Sequence, residues 1–273
     1  MNNIVVLSDL DSTLLRDDSE VSDYTLNIIN KMQAAGHMFI PCTARPYKEL
    51  PKSLLKADLR YFVCSNGATI YDVKKKELVA SYALDTDLAF SVLDEIDLDR
   101  TYINLVLNGV VYSEDKLFDM FVERNVIPAE HIEGFKASRI VKEDNYSFLK
   151  TLKAIDKLHL NFESIEVRDE IKKMISHSDH YTVVSSDDLN IEVTNIASDK
   201  GLAGKEVAKL LNKNAYKLYA FGDNFNDIPM FKLADISVAM KNGNEGIFDH
   251  ATRISDYTND QDGVAKYIEE FIL

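Results

Sequence analysis

The sequence predicts an α/β fold: a doubly wound, mostly parallel, Rossmann-like core sheet interrupted by an α+β module. Three observations carry this expectation. Ile4–Leu7 is a continuous, largely β-branched apolar run, the pattern of a strand buried on both faces. Strand and helix patterns alternate from Ile4 to Ser65, and again after Ser198. Between Leu84 and Asn195 that alternation gives way to hairpin signals mixed with helices. The predicted organisation is therefore a core of residues 1–83 and 196–273, with residues 84–195 inserted.

The elements follow in order. After the first strand, Ser22 and Asp23 offer an N-cap, and Leu26, Ile28, Ile29 and Met32 form a helical stripe ending at Gly36. A strand is expected at Met38–Cys42, and a helix from Pro46 to about Lys56, since Pro suits the first helical position. Tyr61–Ser65 reads as a third parallel strand. Ala68–Tyr71 and Leu78–Ser81 form a hairpin whose tip, Lys74-Lys75-Lys76, is a solvated turn. In the insert, helices are expected at Asp85–Leu98, Lys116–Arg124, Tyr146–Lys157 and Arg168–Ser176. Strands are expected at Tyr102–Leu107 and Val110–Tyr112, turned by Asn108-Gly109, and at Leu158–Phe162, Tyr181–Ser185 and Asn190–Val193. Then come a helix at Lys200–Leu211, a strand at Leu218–Phe221, a helix at Asp227–Leu233 and a strand at Ile236–Met240. A short helix at Asn244–Phe248, a short strand at Arg253–Ser255 and a helix at Gly263–Phe271 complete the chain.

Composition narrows the function. The 273 residues carry a net charge of −14, and a chain without a basic cluster is a poor partner for nucleic acid. No apolar segment approaches membrane-spanning length, and the N-terminus lacks the features of a signal peptide; a cytoplasmic protein is expected. Cys42 and Cys64 are too few for a disulfide framework and read as buried thiols. The six histidines are scattered and read as surface or core imidazoles.

Chemistry collects at the carboxyl ends of the core strands, where open α/β sheets bind ligands. Strand one ends in Asp9 and Asp11, the second strand in Thr43 and Arg45, the third in Ser65-Asn66-Gly67, and a later one in Gly222-Asp223-Asn224-Phe225-Asn226-Asp227; Lys200 opens the helix after the insert. Two carboxylates at the end of a buried strand are costly without a bound cation. Acids, a lysine, a hydroxyl and backbone donors describe a site for Mg²⁺ and a phosphoryl group. Blander readings stand beside these: Asp9 and Asp11 as turn and cap residues, Thr43 as the cap of the helix at Pro46, Asn66 as a turn residue. Arg45 reads equally as a surface ion pair or a substrate contact.

The segments DLDSTLL, CTAR, SNGA, SDKG and GDNFNDIPM, in this order, resemble the motifs of the haloacid dehalogenase superfamily. The long insert, AMKNGN at Ala239–Asn244 and DGVAKYIE at Asp262–Glu269 resemble its Cof-type sugar-phosphatase branch, with an α+β cap of type C2B. The resemblance implies an Mg²⁺-dependent phosphatase acting on a small phosphomonoester through an aspartyl-phosphate. Asp9 is then the nucleophile and Asp11 the general acid and base. The Asp9 carboxylate, the Asp11 backbone carbonyl and the Asp223 carboxylate hold the metal, with Asp227 completing the site. Thr43, Ala44, Arg45, Asn66, Lys200 and Asn226 bind the phosphate ester, and Lys200 also pairs with Asp9. Ser12 and Ala44 stand where the family usually has Gly. A monomer or homodimer is expected, with neither nucleic acid nor membrane as partner. The alternatives are a phosphomutase or a pathway-specific sugar-phosphate phosphatase and, from a different class, a non-catalytic phosphate-ligand sensor.

Overall fold

A computed structural model describes residues 3–114, 118–123, 132–211 and 216–273. The chain forms two compact units, one of Met1–Arg45, Leu50–Ala80 and Asp199–Leu273, the other of Pro46–Glu49 and Ser81–Ser198.

In chain order the elements are β1 (Asn3–Ser8), α1 (Asp23–Ala34), β2 (Met38–Pro41), β3 (Tyr61–Cys64), β4 (Thr69–Asp72) and β5 (Glu77–Ser81). They continue with β6 (Leu84–Asp85), α2 (Thr86–Leu93), β7 (Tyr102–Leu107), β8 (Val110–Glu114), α3 (Phe118–Glu123), α4 (Ile132–Ser138) and β9 (Arg139–Lys142). Next are α5 (Asn145–Leu149), β10 (Ala154–Ile155), β11 (Lys157–Asn161), α6 (Ile165–Ile175), β12 (Tyr181–Val184) and β13 (Asn190–Asn195). The chain ends with α7 (Lys200–Leu210), β14 (Tyr216–Gly222), α8 (Ile228–Leu233), β15 (Ile236–Ala239), β16 (Arg253–Ile254) and α9 (Gly263–Phe271).

The first unit is built on a parallel sheet of order β16-β15-β14-β1-β2. Val5, Val6 and Leu7 of β1 are fully buried, as a central strand covered on both faces requires. Val5 and Leu7 pack with Ala203 and Val207 of α7 and Met230 and Phe231 of α8. Ser22 caps α1 by accepting from the Thr25 amide. The chain therefore delivers the ends of β1, β2 and β14 to one edge of the sheet.

The second unit holds a six-stranded sheet, β12-β13-β11-β7-β8-β9, antiparallel except for the β8–β9 pair. Its period-two alternation separates two faces. Ile103, Leu105, Leu158, Leu160, Ile191 and Val193 pack on Leu93, Leu149 and Ile175 from the helices. The intervening positions carry Asn104, Ser113, Lys157, His159 and Glu192, with His159 opposite both Asn104 and Glu192. Asn108-Gly109 turns β7 into β8 with both residues at positive φ, the twist that a two-residue hairpin needs. Among the described residues, no helix is long and apolar enough to cross a membrane.

Several expectations need correction. The helix from Pro46 to Lys56 is absent; two 3-10 turns, Tyr47–Glu49 and Leu54–Lys56, flank Pro51 instead. Proline has no N–H and disfavours helix at the residue before it. The third strand meets the parallel sheet through one bridge, Cys42 to Val63, and otherwise pairs antiparallel with β4. The helix of Tyr146–Lys157 stops at Leu149 and yields to β10 and β11. That of Asp85–Leu98 ends at Leu93. Within the expected Lys116–Arg124 helix, Phe118–Glu123 is helical, and both expected ends lie outside the described residues. Helix α4 and strand β9 were not anticipated.

Candidate active site

The site starts where β1 ends. Asp9 follows Ser8 and donates its amide to the Phe221 carbonyl, which fastens it to β14. Leu10–Leu14 then forms one tight turn of π type, closed by Leu15 N to Leu10 O at 2.8 Å. Inside it Ser12 has φ 56° and ψ 7°. This is the left-handed region, which costs a residue with a Cβ about 1 kcal/mol. Ala44, the other position where the resemblance leads one to expect glycine, has no positive φ.

Asp9 is 6 % exposed, and Lys200, 1 % exposed, donates to its Oδ1 at 2.7 Å and to Asp227 Oδ1 at 2.8 Å. The Ser65-Asn66-Gly67 turn, in which all three residues have positive φ, packs against the start of α7, the helix that Lys200 opens. Gly67 is required there, because a Cβ would lie 2.5 Å from the Asp199 backbone at the cap of α7. Asp227 is fully buried; its Oδ2 accepts from the amides of Asp223 at 3.0 Å and Asn224 at 3.2 Å. Gly222 makes room for it, since a Cβ would strike the Asp227 carboxylate at 2.4 Å. The Thr13 hydroxyl donates to Asp223 Oδ1 at 2.9 Å.

Oxygens of Asp9, Asp223 and Asp227 lie within 4.8 Å of one another. Three carboxylates around one ammonium leave two negative charges uncompensated. Burial pushes Asp9 well above the usual carboxylate range; Lys200 opposes this, while Asp227, Asp223 and Asp11 add to it. Burial, then the neighbouring Asp227, pushes Asp223 up to about 7 against the Thr13 hydroxyl. Burial alone would lower Lys200, but Asp227 and Asp9 outweigh it and hold the ammonium above the ordinary lysine range. An all-oxygen, doubly negative donor set fits a hard divalent cation.

The other expected residues lie around this cluster. The Asp11 carboxylate is not part of it: Arg45 grips both Asp11 oxygens, Nε to Oδ1 at 3.0 Å and Oδ2 at 2.9 Å, with a further bond to Oδ1 at 2.5 Å. Thr43 is fully buried, and its hydroxyl accepts from the Arg45 amide rather than capping a helix. Its carbonyl accepts from Asn66 N at 2.9 Å, and Asn226 Nδ2 donates to Asn66 Oδ1 at 3.4 Å. Ala44 lies half-buried between Thr43 and Arg45. Sequence reasoning missed Thr13 as a partner of Asp223, although a hydroxyl two residues beyond Asp11 was visible. It also missed the Asp11–Arg45 pair. Cys42 and Cys64 are buried and not joined in a disulfide, and burial pushes the Cys42 thiol well up, away from reactivity.

These features gather three aspartates and one lysine at the strand ends of an α/β sheet. A family model for haloacid dehalogenase-like hydrolases matches residues 6–268. The chain belongs to that family, on its Cof-type branch, and is an enzyme of the phosphatase kind. It is 25 % identical over 285 residues to Phosphatase YwpJ of Bacillus subtilis (strain 168), covering 98 % of this chain and 99 % of that protein. It is 26 % identical over 274 residues to the 5-amino-6-(5-phospho-D-ribitylamino)uracil phosphatase YcsE of the same organism, covering 98 % and 96 %. Among solved structures, a haloacid dehalogenase-like hydrolase from B. subtilis superposes with TM-score 0.84 at 23 % identity, covering 98 % and 99 %. The subclass IIB sugar phosphatase BT4131 superposes with TM-score 0.79 at 17 % identity, again covering 98 % and 99 %.

Proposed function

We propose that the enzyme hydrolyses a small phosphomonoester, a sugar or polyol phosphate, with Mg²⁺ as cofactor and Asp9 as nucleophile. The observation that carries this reading is the buried Asp9–Lys200–Asp227 bridge beside Asp223, two positive charges short of neutrality. Asp9, Asp223 and Asp227 would hold the cation, with the Asp11 carbonyl as a further oxygen ligand. When bound, Mg²⁺ supplies positive charge that lets an anionic ester approach these carboxylates. The phosphorylated polyol in the name of the relative YcsE supports the substrate class. Two buried cysteines outside any disulfide fit a reducing cytoplasm.

The chemistry then divides between two aspartates. Lys200 occupies Asp9 Oδ1, which leaves Oδ2 to attack phosphorus as the ester P–O bond breaks. Asp11 gives a proton to the departing oxygen, then takes one from the water that attacks the aspartyl-phosphate; inorganic phosphate leaves and the Asp9 carboxylate is restored. To carry that proton Asp11 must leave its pairing with Arg45, whose guanidinium can then turn to the phosphate. Thr43 and Asn66 bind the transferring group from the neighbouring strand ends.

The test is phosphate release from a panel of sugar phosphates, polyol phosphates, nucleotides and p-nitrophenyl phosphate, with Mg²⁺ or EDTA, using wild type and Asp9→Asn. Release is expected with Mg²⁺ only, best on the sugar and polyol phosphates, and reduced at least about 10³-fold in Asp9→Asn. Undiminished release in EDTA would remove the cofactor assignment.

A further inference from the structure

The left-handed turn at Ser12 needs something to hold it, because strained backbone persists only where its surroundings over-determine it. Asn242 supplies that hold. Its Nδ2 donates to the Ser12 carbonyl at 2.8 Å, while its Oδ1 accepts from the Asn259 amide at 2.9 Å. The second bond fixes which end of the amide meets Ser12. Asn259, 4 % exposed, in turn donates to the Leu15 carbonyl and to Asp17 Oδ1, each at 3.0 Å. The residues after Asn242 grip the other acidic loop. Asn244 N donates to the Asp223 carbonyl at 2.9 Å, and a Cβ on Gly243 would lie 3.0 Å from that same oxygen. Met240 N donates to the Gly222 carbonyl at 2.9 Å. Residues 240–244 therefore touch both loops that carry the clustered carboxylates, and Thr13, next to Ser12, bonds Asp223 directly.

We infer that Asn242 is a positioning residue: it locks the Ser12 turn and so sets the spacing of Asp9 from Asp223 for the cation and the phosphoryl group. This rests on the Mg²⁺-phosphatase reading. Asn242 touches neither reacting atoms nor the cluster itself. It acts through the Ser12 carbonyl on Thr13, and through Thr13 on Asp223. Partners of this kind typically set metal affinity by 10–100-fold.

The experiment compares wild type, Asn242→Ala, Ser12→Gly and the double variant Asn242→Ala/Ser12→Gly. Mg²⁺ binding is measured by isothermal titration calorimetry without substrate, alongside kcat, KM and thermal midpoint. Asn242→Ala is expected to weaken Mg²⁺ about tenfold or more and to lower kcat with KM little changed. Glycine takes the left-handed turn at no steric cost, so Ser12→Gly is expected to restore most of the lost affinity in the double variant. A merely structural Asn242 would lower the thermal midpoint alone, and that result overturns the inference. Failure of Ser12→Gly to restore binding also overturns it, because the effect would not run through the turn. A wild type that binds Mg²⁺ and releases phosphate, with Asn242→Ala its equal, removes this inference alone. A wild type that does neither removes the phosphatase reading with it.

Discussion

Each unit buries charge, and the two do so on opposite terms. In the second unit, Lys157 and Glu192 are both 2 % exposed and pair with each other. His159, two residues along the same strand, is kept neutral: burial pulls it down to about 3, with Lys157 adding to the effect. On that face Lys157 has Glu192 as its acid partner, and Arg139, which bonds Asn104 and Ser113, has Glu49 at 3.9 Å. In the first unit three carboxylates share one lysine, and burial raises both Asp9 and Asp223. A balanced buried pair specifies packing. An unbalanced cluster costs stability, and is explained when a cation and an anionic substrate complete it.

The sharpest way to break this comparison is to remove each lysine. Lys157→Met removes the ammonium that pairs with the buried Glu192, at an expected cost of about 3–5 kcal/mol. Added Mg²⁺ should not relieve it, whereas replacing Glu192 with Leu as well should recover most of the loss. Lys200→Met should lower turnover on the order of 10²–10³-fold, and its loss of stability should shrink when Mg²⁺ is added. Urea unfolding with and without Mg²⁺, read beside kcat, separates the two. If Mg²⁺ rescued both variants equally, the contrast between the units would be lost.

A smaller effect is expected from pH. Asp223 rises from its ordinary 3.8 to about 7 in the fold. Its protonated form is favoured by folding, so that contribution is complete below about 3.8 and is lost as pH rises through about 7. The expected decline for metal-free protein is on the order of 4 kcal/mol across that window. His159 works in the other direction. Its value falls from 6.5 to about 3, so its contribution is present above 6.5 and is lost as pH falls toward 3. Hydrogen exchange resolved by residue should show amides of the first unit loosening toward alkaline pH, and those around His159 loosening toward acid. Mg²⁺ should flatten the first trend and leave the second.

Legibility in the sequence followed the range of the interactions. Helix α9 and the Asn108-Gly109 hairpin were readable because periodicity and turn chemistry are local. The expected helix over Pro46–Lys56 failed where Pro51 outweighed a favourable start. The expected Tyr146–Lys157 helix failed because apolar residues read as one stripe are divided between α5 and strands that pair with distant partners. At the site, residue types at strand ends identified Asp9, Lys200, Asp223 and Asp227 as candidates, since strand ends converge in any parallel sheet. Side-chain pairing was not legible. Arg45 chooses Asp11 across 34 positions and Asn242 chooses Ser12 across 230, and no local pattern encodes such partners. Ser12 shows both limits: its sequence position raised the question of positive φ, and only the structure gave the angle and the amide that holds it.

The most direct test of Asp9 as nucleophile is to mix enzyme, Mg²⁺ and a ³²P-labelled substrate from the panel, quench in acid within milliseconds, and map the label by peptide mass spectrometry. The expected result is an acid-stable, hydroxylamine-sensitive phosphoryl group on the peptide carrying Asp9, absent from Asp9→Asn. Turnover with no phosphorylated peptide at any quench time, or label on another residue, would contradict it.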